Sequence, residues 1–446
     1  MGGTWTTQNK VRPGVYINFK SVPRPNITVG DRGIATIGIN LDWGEDDKLI
    51  DVTGDELLTG ASLPKIGFTL FDEGAKLLVA QLAGCHLSRV KRMNYGGSKA
   101  TADIGDLTAT AKYNGILGNH LTVAVDKTEP FFEVTTFLKG NMVNRQTITE
   151  ISELEANDYI VFSDNSDDGS GVLTINPGTL LTGGTNGTIT EEDAYIAYMA
   201  LLRTARWNTW AVTTSDSAIK IAAAQFVEYM RDREGRYVQA VIGNYNAYNH
   251  EGIISNINSV SINNIAFTVD EATSIVSGLS AGCLLTETNT GRAVRNSTAI
   301  KPILTRLEIE EALLQGFIVF TSNQDGSIVI EQDINTLHSF TPEKNTEWRK
   351  NRVVRTMDEI GTQITYAWES RYKGKVTNNE EGRAQFRSDL IAYYNRLQSD
   401  GIIQEFEGAN DVEVNRGLDL DAVVSNSWIM PTDSMEKLYK TINVKV

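Results

Sequence analysis

The residue types that most often do chemistry are few in this chain and thinly spread. Four histidines, His86, His120, His250 and His338, stand singly, and none accompanies a Ser or Cys in nucleophile-elbow context, so no triad is proposed. Cys85 and Cys283 lie far apart in apolar surroundings without metal-ligand spacing, and two buried free thiols of a reducing cytoplasm are expected. GLSAGCLLTETNTGR, Gly278 to Arg292, matches neither the phosphate-cradling loop with its Lys-Ser/Thr nor the dinucleotide GxGxxG after a strand. Close helix packing or a turn is the expectation there. GGTNGT, Gly183 to Thr188, reads as a linker, and His338 in TLHSF as a loop or sheet hydrogen-bonder. Carboxylates cluster at Glu45, Asp46 and Asp47, at Asp164, Asp167 and Asp168, and at Glu308, Glu310 and Glu311. The middle cluster, DNSDDGSG, lacks the residue order and terminal Glu of an EF-hand loop and reads as a solvated turn. No catalytic, cofactor or metal site is expected.

Positive charge does concentrate. EKNTEWRKNRVVR, Glu343 to Arg355, sets Lys344, Arg349, Lys350, Arg352 and Arg355 against two Glu residues. Two readings stand: a helix with a solvated charged face, or a basic surface meeting acidic patches of identical subunits or of another protein, which orients more than it adds affinity. On a second helix Arg383 and Arg387, one turn apart, and Arg396 add basic groups beside Tyr393 and Tyr394, residue types favoured at protein contacts.

The elements that must position these groups follow from length and pattern. At 446 residues the chain exceeds what one core usually organises, so two to four domains are expected. An apolar fraction of 41% with 22% charged residues is that of an ordinary globular protein. A net charge of −15 argues against a nucleic-acid-binding surface over the whole molecule and raises the electrostatic cost of self-assembly. MGGTWTTQNK has no apolar run, so no secretory signal is expected, and no segment approaches the roughly 20 apolar residues of a membrane span.

IATIGIN, Ile34 to Asn40, reads as a strand, followed by the acidic loop DWGEDD, and Asp72 to Ala83 as a short helix. From about Ala100 to Thr188, short alternating runs (LTVAVD, FFEVTTFL, DYIVFS, GVLTIN) are divided by polar turns, the signature of an antiparallel sandwich or barrel. TEEDAYIAYMALLRTARW then opens with a capping pattern, Thr190 and Asp193. Strand TWAVTT, helix SDSAIKIAAAQFVEYMRD, strand RYVQAVIGN and helix DEATSIVSGLSAG follow, an alternation that indicates an α/β layer with parallel pairing. The expected fold is α+β and multidomain: an α/β domain (31–94 and 188–335) interrupted by an all-β sandwich-like insertion (95–187), then an α+β C-terminal domain (336–431). In that last part a helix over Thr346–Tyr372 carries Val353, Met357, Ile360, Ile364 and Trp368 as a stripe. A second helix, from Arg383, places Phe386, Leu390, Tyr393 and Leu397 on one face.

Both ends alternate like strands. In VRPGVYINFK, Val11, Val15, Ile17 and Phe19 fall on one side; in YKTINVKV, Ile442, Val444 and Val446 alternate with Thr441, Asn443 and Lys445. Such strands either pair within their own sheet or add to a neighbour's sheet edge. Prolines in SVPRPNITVGDRG and NSWIMPTDSMEKL leave both on loose tethers, which favours reaching out, and a donated strand makes a head-to-tail contact that propagates.

GGTWTTQNKVRPGVYINF, SFTPEKNTEWRKNRVVRTMDEI and the alternating C-terminal strand closely resemble contractile tail sheath proteins, nearest the sheaths of PBSX-like defective phages and of Gram-positive, diffocin-like contractile bacteriocins. The resemblance covers essentially the whole chain. It implies a structural polymer: six-fold rings stacked around an inner tube, contracting to drive that tube through a target cell envelope. It implies further partners in baseplate and tail-terminator proteins, with no nucleic acid and no direct membrane insertion, in a virion tail or bacteriocin particle assembled in the bacterial cytoplasm and released by lysis. Residues 1–30 and 432–446 would be arms, with Val15, Tyr16, Ile17, Asn18 and Phe19 and Ile442, Asn443, Val444, Lys445 and Val446 as donated strands. The tube-facing contact would fall on the last-quarter helix bearing Arg383, Arg387 and Arg396. The alternatives are another virion part, in a baseplate or as a decoration, and an α/β enzyme with an accessory sandwich.

Overall fold

The computed structural model describes residues 32–167 and 169–444. These form two contact units, one of residues 32–359 with 433–444, the other of residues 360–432.

The first unit is built on a seven-stranded sheet. In spatial order its strands are Phe317–Ile318, Ile253–Asn256, Gln239–Ile242, Thr209–Val212, Ile34–Ile39, Leu87–Arg92 and Leu49–Thr53. All neighbours run parallel except the last pair, which is antiparallel. Parallel strands need crossovers, and helices Glu191–Leu202, Ser217–Asp232 and Thr273–Gly282 cover the faces, so the inner strands are buried throughout. The expected capping holds: Thr190 Oγ1 accepts from the Asp193 N–H, and Asp216 caps the next helix through the N–H groups of Ala218 and Ile219. Ala35 pairs with Thr209, so one sheet is stitched from segments on either side of the all-β part.

That all-β part is a sandwich. A four-stranded sheet (Asn176–Leu180, Leu121–Thr128, Phe131–Leu138, Asn141–Ile148) faces a three-stranded one (Thr101–Ile104, Leu107–Ala111, Ile160–Asp164). Leu107, Ala109, Leu121, Val123, Val134 and Ile160 share the core between them. The strands Leu49–Thr53 and Leu87–Arg92 were not expected, because LSRVKR carries charges that pattern reading assigns to solvent. Lys91 and Arg92 are instead buried. Arg92 donates to the carbonyls of Gly44 (3.1 Å) and Asn114 (2.9 Å) and pairs with Asp46 at 3.3 Å. Asn186 meanwhile donates to Asp42 (2.8 Å). The acidic loop thus holds the chain where it enters and where it leaves the sandwich.

In the second unit, helix Glu380–Ser399 buries Phe386, Leu390, Tyr393, Tyr394 and Leu397, the expected face plus one neighbour. Trp368 and Tyr372 stack at 5.9 Å, and Phe386 meets both edge-on. A hairpin, Val412–Arg416 with Val423–Ser427, and a short pair, Ile403–Gln404 with Met430–Pro431, complete it. The long helix differs from expectation at its start: a 3-10 turn covers Thr346–Arg349, and the α-helix runs Asn351–Ala367 before a π turn at Trp368–Tyr372.

Arg92→Ala leaves Asp46 without its buried cation and strips two carbonyls of their donor. A loss of about 3–5 kcal/mol is expected, read as a lowered denaturant midpoint.

Candidate functional site

The groups that suggested chemistry are each held by structural bonds. Gly278 and Gly282 let helix Thr273–Gly282 lie backbone to backbone on Gln81–Gly84, since a Cβ at Gly278 would sit 2.0 Å from Gln81 O and one at Gly282 1.9 Å from Gly84 O. The Cys85 thiol donates to Gln81 O at 3.3 Å, and burial pushes its pKa up to about 12. Asp164 accepts from the N–H groups of Ser166 (2.8 Å) and Gly171 (2.9 Å), folding the turn around its own carboxylate. Glu308 closes a capping box with Thr305. His338 Nδ1 meets Thr336 O at 2.8 Å.

One cluster unseen in the sequence brings Glu228, Asp232 and His250 together, with one ligand-type atom of each within 4.8 Å of the others. The His250 tautomer opposes a metal there. A backbone N–H can only donate, and Gly252 N–H donates to His250 Nδ1 at 2.9 Å, so the neutral ring carries its proton on Nε2, facing Glu251 Oε2 at 3.8 Å. Tyr248 also donates to Glu228.

The basic run resolves residue by residue. Lys344 Nζ pairs with Glu251 at 2.6 Å, and Lys350 pairs with Glu436. Arg352 is buried and donates to Ser434 Oγ, and Arg355, fully buried, pairs with Asp333 at 3.0 Å. The reading of Arg352 and Arg355 as surface contacts is therefore corrected. The helix from Asn351 is covered on most sides, and buried Asp333 requires a cation beside it. Arg349 differs from the others. It lines a cleft of about 590 Å³ with Thr290, Arg306, Glu331 and Glu436, and its Nε and Nη2 have no hydrogen-bond partner among the described residues.

The second basic set divides similarly. Arg387 is bonded within its own chain: Nε donates to Val412 O (2.8 Å) and Nη2 to Ala409 O (2.9 Å) and Gly408 O (3.2 Å), bracing the hairpin on its helix. Arg383 bonds Asn378 at 3.0 Å and lines an aromatic cleft of about 560 Å³ with Trp368, Tyr372, Phe386 and Asp421. Arg396 is exposed, 3.5 Å from Asp400.

Of the two ends, Val15, Tyr16, Ile17, Asn18 and Phe19 lie outside the described residues, as do Lys445 and Val446. The approach to the C-terminal end is clamped. The Glu436 carboxylate takes Lys350, Thr290 Oγ1 (2.8 Å) and Gln332 Nε2 (3.1 Å). Burial alone would raise its pKa; these donors hold it below the ordinary carboxylate range. Past the clamp, Leu438, Tyr439, Ile442 and Val444 are 85%, 90%, 72% and 81% exposed, and residues 440–444, including Asn443, pair with no strand among the described residues. In the other unit the hairpin is a two-stranded ribbon whose outer edges have no partner strand among the described residues, with Leu418 and Leu420 exposed at its turn. These unpaired backbone rows and bare apolar side chains are what the described residues offer another molecule.

Residues 95–186 match the phage tail sheath protein beta-sandwich domain, 187–336 the phage tail sheath protein central domain, and 343–445 the phage tail sheath C-terminal domain. The Phage-like element PBSX protein XkdK of Bacillus subtilis (strain 168) is 28% identical over 470 residues, covering 99% of each chain. The crystal structure of a sheath tail protein from Desulfitobacterium hafniense superposes with a TM-score of 0.79 at 35% identity, over 97% of this chain and 100% of that one. The fold alone extends further, to the contracted helical sheath of the anti-feeding prophage (TM-score 0.57, 10% identity, 98% and 99% covered).

Two outcomes follow from the site geometry. Arg387→Ala removes the donors to the Val412 carbonyl of the hairpin and to the Gly408 and Ala409 carbonyls just before it, so amide exchange in Val412–Arg416 should accelerate by about ten-fold or more while the seven-stranded sheet stays protected. Burial lowers the His250 pKa from its ordinary 6.5, opposed by Glu251 and aided by Arg231 and Lys344. The unfolded chain therefore takes up that proton first, and stability should fall as pH drops below about 6.5. Glu251 and Glu436, both lowered from 4.5, lose their contribution only below that value. A lower melting midpoint at pH 5.5 than at 7.5, with the difference reduced in His250→Gln, is the expected observation.

Proposed function

The chain belongs to the phage tail sheath family, a family of structural proteins, and we propose that its copies assemble as a helical homopolymer of six-fold rings around an inner tube. Contraction of this sheath drives the tube through a target cell envelope.

One observation carries the reading. Among the described residues, the chain has a two-stranded ribbon with open edges in one unit and, toward its C-terminal end, an exposed alternating segment with no strand to join. A two-stranded ribbon is marginal by itself, and a third or fourth strand satisfies its backbone. Strands Val15–Phe19 and Ile442–Val446 of neighbouring copies are the natural additions. Donor and acceptor are different surfaces, so the contact is heterologous and extends into rings and helices. Main-chain pairing needs no particular side-chain geometry, so the links hold while subunits rotate, provided the tethers flex. A gap of about a few kcal/mol per subunit between two packings sums over many copies into mechanical work, with the extended state kinetically trapped.

Of the basic candidates, the exposure of Arg396 and the position of Arg383 at the aromatic cleft support the reading of these two as tube contacts, and the unbonded Nε and Nη2 of Arg349 support a contact with a neighbouring copy. Baseplate and tail-terminator proteins would hold the two ends of the polymer. The particle is a phage tail or bacteriocin, assembled in the bacterial cytoplasm and released by lysis. Two cysteines left unpaired suit that reducing compartment.

Negative-stain microscopy of the purified chain should show hollow tubes or stacked rings; small closed oligomers would favour a baseplate or decoration part. Deleting Met1–Lys20 should leave a folded monomer that does not polymerise. Unfolding of the truncated chain would mean that the first strand belongs to its own subunit.

A further inference from the structure

The charges of this chain are segregated. Residues 1–30 contain Lys10, Arg12, Lys20 and Arg24 and no Asp or Glu; residues 437–446 contain Lys437, Lys440 and Lys445 and again no acid. With −15 overall, these seven cations leave −22 on the remainder. The hairpin region is the opposite. Residues 405–421 carry Glu405, Glu407, Asp411, Glu413, Asp419 and Asp421 against Arg416, and all of these acids except Asp411 are exposed. The outer edges of this ribbon have no partner strand among the described residues.

We infer that the acidic hairpin is an electrostatic receptor for the basic N-terminal segment of a second copy, and that this charge match selects which strand the open edge accepts. The inference rests on the proposed strand donation and adds what discriminates among donors. Backbone pairing is indifferent to sequence, so an open edge would take any extended segment; opposite charges on adjoining strands favour one donor and like charges reject others. Bodies of like charge repel as they approach, whereas a segment of opposite sign is drawn ahead of its own body. Thirty residues reach as far as about 100 Å when extended, enough to leave the parent subunit; the ten residues beyond Glu436 reach only about 33 Å. Glu413 lies on the strand Val412–Arg416 itself, opposite Asn426, so its charge sits on the ribbon rather than on a remote loop. Glu413 on the ribbon, Asp419 and Asp421 at its turn and the acids just before it also repel one another in the free subunit, and arrival of the basic segment relieves that repulsion.

Charge reversal in the full-length chain tests this. One variant carries Lys10→Glu, Arg12→Glu, Lys20→Glu and Arg24→Glu. A second carries Glu405→Lys, Glu407→Lys, Glu413→Lys and Asp419→Lys, and a third combines all eight. Assembly is followed by light scattering and microscopy, with circular dichroism verifying each fold. Each single-sided variant should assemble about ten-fold more slowly or worse, and the combined variant should recover most of the wild-type rate. Wild-type assembly by the N-terminal variant, or no recovery in the combination, overturns the inference. So does a hairpin defect rescued by reversing Lys437, Lys440 and Lys445 instead, which would give the edge to the C-terminal tail. Failure of the underlying reading looks different: deletion of Met1–Lys20 would then leave polymerisation intact, whatever the reversals do.

Discussion

The parallel pairing of Ile34–Ile39 with Thr209–Val212 is the contact on which the first unit depends. It joins segments separated by the whole sandwich, so the α/β sheet can form only if that excursion returns to its starting point. Loop-closure entropy grows slowly with length, so a long insertion costs little more than a short one once its ends are fixed. Fixing the ends is the task of a joint that is polar as well as apolar: Trp43 of the same loop is buried in the sandwich core, and polar bonds set the geometry. Arg92, Asp46, Asn114, Asn186 and Asp42 bond one another and the nearby carbonyls at the place where the chain leaves the sheet and comes back. A greasy contact would tolerate sliding, whereas hydrogen bonds of fixed direction hold one geometry.

A second set of buried ions fixes the helix Asn351–Ala367 at its start. Asp333 holds Arg355, and Asp358 takes Arg231 in a bidentate pair at 2.7 and 2.9 Å. Removing charges from water is expensive, and such pairs contribute more to a single orientation than to net stability. The same region receives the returning tail through Lys350 and Glu436, so the point from which the C-terminal end departs is as firmly set as the helix.

The surfaces left over explain the family's behaviour better than any pocket does. Strand edges are a liability in a monomer and a resource in a polymer, because an unpaired row of N–H and C=O groups will accept a strand from another chain. Here an open ribbon and a bare apolar tail come from one sequence.

Much of this was legible in the residues alone. Alternation of helix and strand patterns indicated the α/β layer, short alternating runs indicated the sandwich, Thr190 marked a helix start, and Phe386, Leu390, Tyr393 and Leu397 marked a buried face. These features are local: periodicity and capping depend on neighbours a few positions away, so a sequence states them directly. What only the tertiary structure decided is where charge goes. Arg92, Arg352 and Arg355 look like surface residues in any window, and Arg387 looks like a contact for a partner, yet each meets a carboxylate, a hydroxyl or a carbonyl from elsewhere in the chain. A cation can be buried only where a distant acceptor arrives to meet it, and that meeting is a property of the fold, not of any stretch of sequence.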